Sequence, residues 1–89
     1  MGTGSDWRAM FENWPADMPR RAIVSTATQD GIALTDFRIA GNLLMMERDR
    51  PDSLGSRKVV VAFEAITSVR FTDTGELSRF SAMGFESPP

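Results

Sequence analysis

The chain changes its hydrophobic period at Ala22, and that change decides what it can fold into. Before it, Trp7, Met10, Phe11 and Trp14 stand at i, i+3, i+4 and i+7 and line one face of a short helix over 6–14. Ser5 or Asp6 can cap its start, and Pro15 and Pro19 stop it near Asn13 or Trp14. After it, β-branched and apolar residues follow in short runs separated by hairpin-length links. Ile23, Val24, Thr26 and Thr28 lead to Gln29-Asp30-Gly31, which reads as a hairpin turn. The second run, 32–39, sets Ile32, Leu34 and Asp36 against Ala33, Thr35, Phe37 and Ile39, and stops at Ala40-Gly41-Asn42.

The third and fourth runs do not alternate. Leu43-Leu44-Met45-Met46 and Val59-Val60-Val61-Ala62-Phe63 are apolar at every position, so residues aimed at both faces of a sheet are greasy. Between them lies a polar loop, 48–57, with Pro51, Asp52 and Gly55. Glu64-Ala65 makes a tight link into a fifth run, 66–71, in which Ile66, Ser68 and Arg70 oppose Thr67, Val69 and Phe71. Asp73-Thr74-Gly75-Glu76 then has the form of a capping box, with Leu77, Phe80 and Met83 as a narrow apolar stripe and Gly84 as a stop. A helix or a docked irregular segment fits that stretch. Residues 1–5 and 86–89 read as mobile ends, leaving one domain over 6–85.

One helix followed by five strands in about 50 residues predicts a mainly β fold, a small five-stranded SH3-like barrel with an N-terminal α-helix. In such a barrel one face of each strand fills the interior and the other meets water. The outward residues of the third and fourth strands therefore need cover from the terminal helices, from another subunit, or from both. A homo-oligomer that joins edge strands would supply it.

Composition limits the chemistry. The chain has no cysteine and no histidine, which excludes disulfides, the usual zinc, copper and iron ligand sets, and every His- or Cys-based catalytic dyad. Asp30 and Asp36 are not forced into acid/base geometry by their spacing, and Ser25, Ser53 and Ser56 lack a histidine to activate them. No catalytic residue, metal or cofactor is expected. The 10 basic and 12 acidic residues leave a net charge of -2, which argues against a dedicated nucleic-acid binder. Residues 20–58 nevertheless hold seven basic and five acidic side chains, and nine of the ten basic residues are arginine, the side chain suited to bidentate contact with phosphate or carboxylate. No run approaches the roughly 20 apolar residues that span a bilayer, and the expected location is cytoplasmic.

The run Phe37-Arg38-Ile39-Ala40-Gly41-Asn42-Leu43-Leu44-Met45 is similar to the end of the first motif of the Sm-like family. The family's element order matches as well: a helix, five strands, a Gly-containing turn, a variable polar loop before strand four and a short link into strand five. The resemblance covers about 6–71. It implies a homo-oligomeric ring joined through strands four and five, with Val59, Val60, Val61, Ile66 and Val69 at the subunit interface. It also implies binding of single-stranded RNA at loops, with Asn42 as the family residue that carries over and Arg38, Arg48, Arg50, Arg57 and Lys58 as nearby cations. The alternative is a protein-interaction or scaffold module. Gly31-Ile32-Ala33-Leu34-Thr35-Asp36-Phe37-Arg38 and Val61-Ala62-Phe63-Glu64-Ala65-Ile66-Thr67-Ser68-Val69 are also similar to strands of pleckstrin-homology-like and GRAM domains, which bind lipid headgroups or proteins. That fold needs about two more strands than this chain offers and a long C-terminal helix.

Overall fold

A computed structural model describes residues 3–72 and 75–89. Helix α1 (Thr3–Glu12) is followed by strands β1 (Ala22–Thr26), β2 (Ile32–Ala40), β3 (Leu43–Arg48), β4 (Lys58–Ala62) and β5 (Ile66–Phe71). Short 3-10 turns occupy Phe63–Ala65 and Leu77–Met83. The helix starts earlier than its cap signals predict, so Thr3–Ser5 are helical and not a mobile end. It stops two residues short of Trp14, ahead of Pro15, as a proline requires.

All five strands form one antiparallel sheet in the order β4-β3-β2-β1-β5. The fold is mainly β with an N-terminal helix, as the period change predicts. The sheet is not closed into the expected barrel: among the described residues β4 and β5 each have a neighbour on one side only. One face of this open sheet carries the core. Met10, Phe11, Trp14 and Met18, from α1 and the segment after it, join Val24, Ile32, Leu34, Phe37, Leu44, Met46, Phe63 and Ile66 in the buried core. Phe11 alone lies within 5.0–5.9 Å, centroid to centroid, of Phe37, Trp14 and Phe63. Aromatic side chains from the helix and the segment after it thus cover the core face of the open sheet.

Two irregularities set which residues reach that core. A register shift between Leu34 and Asp36 lets Leu34 and Phe37 be buried on the same side, against the strict alternation expected of this run. A second shift, between Ser25 and Thr26, puts Ile66 in the core together with Val69 and Phe71. That separates Ile66 from Ser68 and Arg70, with which simple alternation groups it. Ser25, the one buried polar residue among those described, donates its hydroxyl to Asp30 Oδ1 and accepts from the Gly31 N–H at 3.2 Å. Its burial is thereby matched by bonds, as a buried hydroxyl must be.

The C-terminal stripe forms a 3-10 turn and not an α-helix. Phe80 packs on Phe71 at 4.8 Å and Met83 lies against the core, whereas Leu77 is 87% exposed. Gly84 ends the turn at φ 99°, a left-handed conformation that glycine adopts without strain. The Asp73-Thr74 half of the expected cap lies outside the described residues.

Candidate functional site

Register assigns the residues of β2, β3 and β4 to two faces. Across the three strands lie Asp36-Glu47-Lys58, Phe37-Met46-Val59, Arg38-Met45-Val60, Ile39-Leu44-Val61 and Ala40-Leu43-Ala62. The second and fourth rows point into the core, where Phe37, Leu44 and Met46 are at most 4% exposed. The other three rows point outward. There Leu43, Met45 and Val60 remain 47%, 44% and 48% exposed. Both terminal segments pack on the opposite face, so neither supplies the cover that the two greasy strands call for.

Charge is concentrated at one end of this outward face. Asp36 Oδ1 accepts from Arg38 at 3.0 Å and from Arg20 at 3.2 Å, and Lys58 Nζ meets Glu47 at 3.0 Å. The Phe37 backbone N–H donates to the Asp36 carboxylate at 2.8 Å, and together with Arg38 and Arg20 it holds that carboxyl below the usual value. Arg20 also lies over the Phe37 ring at 4.5 Å. Among these groups is a hollow of about 190 Å³ bordered by Asp36, Arg38, Met45, Glu47 and Lys58. Arg20 belongs to the basic middle of the chain but not to the predicted contact residues; it is 16 residues from Asp36, and only the pairing of β2 with its neighbours brings the two together.

The predicted RNA-contact residues do not converge. Asn42 sits exposed in the β2–β3 turn, its carbonyl accepting from the Phe63 N–H at 2.9 Å. Arg48, Arg50 and Arg57 lie at the other end of β3, in or beside the loop to β4, and the length of β3 separates them from Asn42. That loop is ordered by its own carboxylate: Asp52 Oδ1 accepts from the Leu54 and Ser56 N–H groups, both at 2.8 Å. Arg38 and Lys58 are engaged with Asp36 and Glu47 on the outward face. Of the predicted interface residues, Val59 and Val61 are half-buried toward the core, Ile66 is buried, Val69 packs against the core, and Val60 is exposed.

A second surface lies beside β5. Phe71, Leu77, Phe80, Phe85 and Pro88 line an apolar groove of about 860 Å³ that carries serine hydroxyls and Glu86 at its margin. Among the described residues no group of three or more acidic side chains is placed to hold a metal ion, and no helix is long and apolar enough to cross a membrane. Comparison of the chain with protein-family models, with curated proteins and with solved structures finds no match.

Proposed function

We propose that this chain is a non-catalytic assembly module whose copies join head to tail, β4 of one against β5 of the next, into a closed ring of the Sm-like kind. One observation carries the reading: among the described residues the order β4-β3-β2-β1-β5 leaves one unpaired edge at each end of the sheet. Unpaired edges expose a row of N–H and C=O groups that template another strand. Two different edges on one subunit make a heterologous contact, which closes into a ring when its rotation permits. The proposal concerns assembly and assigns no ligand, because the arginines and Asn42 form no single track on one subunit.

The free edge of β4 can be read from its ladder. The Phe63 N–H goes to Asn42 and the Arg57 carbonyl accepts from Arg48 at 2.7 Å, so odd positions face β3. Val60 and Ala62 therefore present their backbone groups to the open side, together with the Lys58 N–H, while the Lys58 carbonyl accepts from the Ser56 hydroxyl at 3.1 Å. Ala62 has φ -72° and ψ 139°, which proline adopts without strain. Ala62→Pro removes one edge donor and leaves the β3–β4 ladder intact. Light scattering on the full chain is expected to show a discrete mass several times 9.8 kDa for the parent, collapsing to one or two copies for Ala62→Pro with an unchanged circular dichroism spectrum. Persistence of the parent mass in the variant, or a parent that never exceeds two copies, overturns edge assembly.

A further inference from the structure

The turn Gln29-Asp30-Gly31 carries chemistry that edge assembly does not use. Asp30-Gly31 is the one place in the chain where a carboxyl or amide side chain precedes glycine. In such a pair the glycine nitrogen lies one bond short of a five-membered ring with the side-chain carboxyl carbon before it, and glycine has no Cβ to shield the approach. We propose that Asp30-Gly31 is a site of self-modification, a latent isoaspartate, and that the buried hydroxyl of Ser25 holds it shut.

The reaction needs only water. The Gly31 nitrogen attacks Asp30 Cγ and the N–Cγ bond forms, while the hydroxyl of the protonated carboxyl leaves as water together with the amide proton. A second water opens the resulting succinimide. Attack at Cγ restores aspartate; attack at the main-chain carbonyl carbon of Asp30 leaves the backbone running through Cβ and Cγ. Nothing is oxidised or reduced, and the mass is unchanged.

Two features leave the turn open to this step. Asp30 and Gly31 are both exposed, so water reaches the ring. A Cβ built on Gly31 would come no nearer than 4.0 Å to the Arg70 guanidinium, its nearest neighbour beyond the adjoining residues, so the nitrogen is not fenced in. One feature closes it. Ser25 Oγ donates to Asp30 Oδ1 and accepts from the Gly31 N–H at 3.2 Å, so a single oxygen engages the electrophile and the nucleophile together. Ring closure requires the N–H to leave Ser25 and the carboxyl to turn its carbon toward the nitrogen, and each motion breaks a hydrogen bond. Ser25 is itself fixed: it is buried, paired with Ser68 of β5, and its carbonyl accepts from the Thr67 hydroxyl at 3.2 Å. Thr26 closes the neck of the same loop, its N–H donating to the Gln29 carbonyl at 2.8 Å, but it bonds to neither reacting group. The product would not be silent. Isoaspartate adds one atom to the backbone just ahead of Ile32, which is fully buried and paired with Val24, so β2 would enter the sheet displaced.

Incubation of the folded full chain at neutral pH tests this, with isoaspartate at residue 30 counted by electron-transfer fragmentation of its peptide and by methyl transfer from S-adenosylmethionine, using an isoaspartyl methyltransferase as reagent. Ser25→Ala, which removes both hydrogen bonds, is expected to accumulate isoaspartate roughly tenfold faster than the parent. Two variants separate the bond from mere loosening. Thr26→Ala disturbs the same loop, and Val61→Ala trims a half-buried valine of β4 that packs on the core; each is expected to stay within about twofold of the parent, because opening of the turn is local. In urea that unfolds the chain, all four proteins should react at one rate, faster than the folded parent. Equal rates for folded Ser25→Ala and parent overturn the proposal. So does an equal acceleration by Thr26→Ala or Val61→Ala, which would make the opening general, and so does a folded parent that reacts as fast as the unfolded one, which would mean that nothing holds the site shut.

Discussion

Leu44 and Met46 leave β3 on one side, Leu43 and Met45 on the other, and the four are chemically near-equivalent. Two are fully buried and two are nearly half exposed. Nothing in the residue types separates the pairs; what separates them is that α1 and the segment after it bring Phe11 and Trp14 to the core face, while among the described residues Leu43 and Met45 remain about half exposed on the other. Burial in this small sheet is decided by where the aromatic helix docks. A strand that is apolar on both faces thus states a requirement for two covers, of which the chain provides one.

Adjacent methionines give the sharpest test of that contrast. Met46→Ala removes a fully buried side chain from between Phe37 and Val59 in its row and is expected to cost about 2–5 kcal/mol, transfer and cavity terms together. Met45→Ala, measured in urea at protein concentrations dilute enough to keep subunits apart, is expected to stay within about 0.5 kcal/mol of the parent. A large loss at Met45 in the dilute monomer would mean that the outward face already has cover within one subunit, and the contrast between the faces would fail.

A smaller effect is expected where β1 bends. Ser25→Ala deletes the hydroxyl that links Asp30 to the Gly31 N–H at the end of the β1–β2 connection. Loss of that partly buried link is expected to lower unfolding free energy by about 1 kcal/mol, read by the same urea titration. Thr26→Ala, one residue on and more exposed, provides the comparison and should cost less. Reversal of that order would show that the Ser25 bonds do not hold the register shift in place.

The element order was legible because each piece carries its own local chemistry. Helical spacing of Trp7, Met10, Phe11 and Trp14, prolines after it, β-branched runs and Gly or Asn at the turns do not depend on tertiary contacts. The register shifts were not legible. An extra residue at Thr35 changes which of Leu34, Asp36 and Phe37 points inward, yet it leaves no mark in composition. Closure was not legible either: five strands with hairpin links can close or stay open, and local sequence does not say whether β4 and β5 meet. At the candidate surface, the two-faced runs identified Leu43 and Met45 as residues needing cover. The meeting of Arg20, Arg38 and Asp36 could be found only from strand pairing.

The weakest expected effect concerns the loop between β3 and β4, whose order comes from one surface carboxylate and not from any core. Asp52 accepts from the backbone N–H groups of Ser56 and Leu54, and Arg48 adds a favourable charge, so its carboxyl is held below the ordinary 3.8. Hydrogen bonds given to a carboxylate favour its charged form. The folded value is thus lower than the unfolded one, and the loop's contribution to stability is complete above the ordinary carboxylate range and disappears as pH falls through the depressed value. Titrating the side-chain carboxyl by NMR should give a midpoint below 3.8, with the Leu54 and Ser56 amide signals losing their dispersion over the same interval. The group stands at the surface, far from the core, which keeps the energetic consequence small, so the core signals of Met46 and Phe37 should not move in that interval. A midpoint at or above 3.8 would remove the carboxylate as the loop's organiser. Core signals that followed Asp52 would instead tie the loop to the buried face and erase the distinction between a region ordered by packing and one ordered by a single charge.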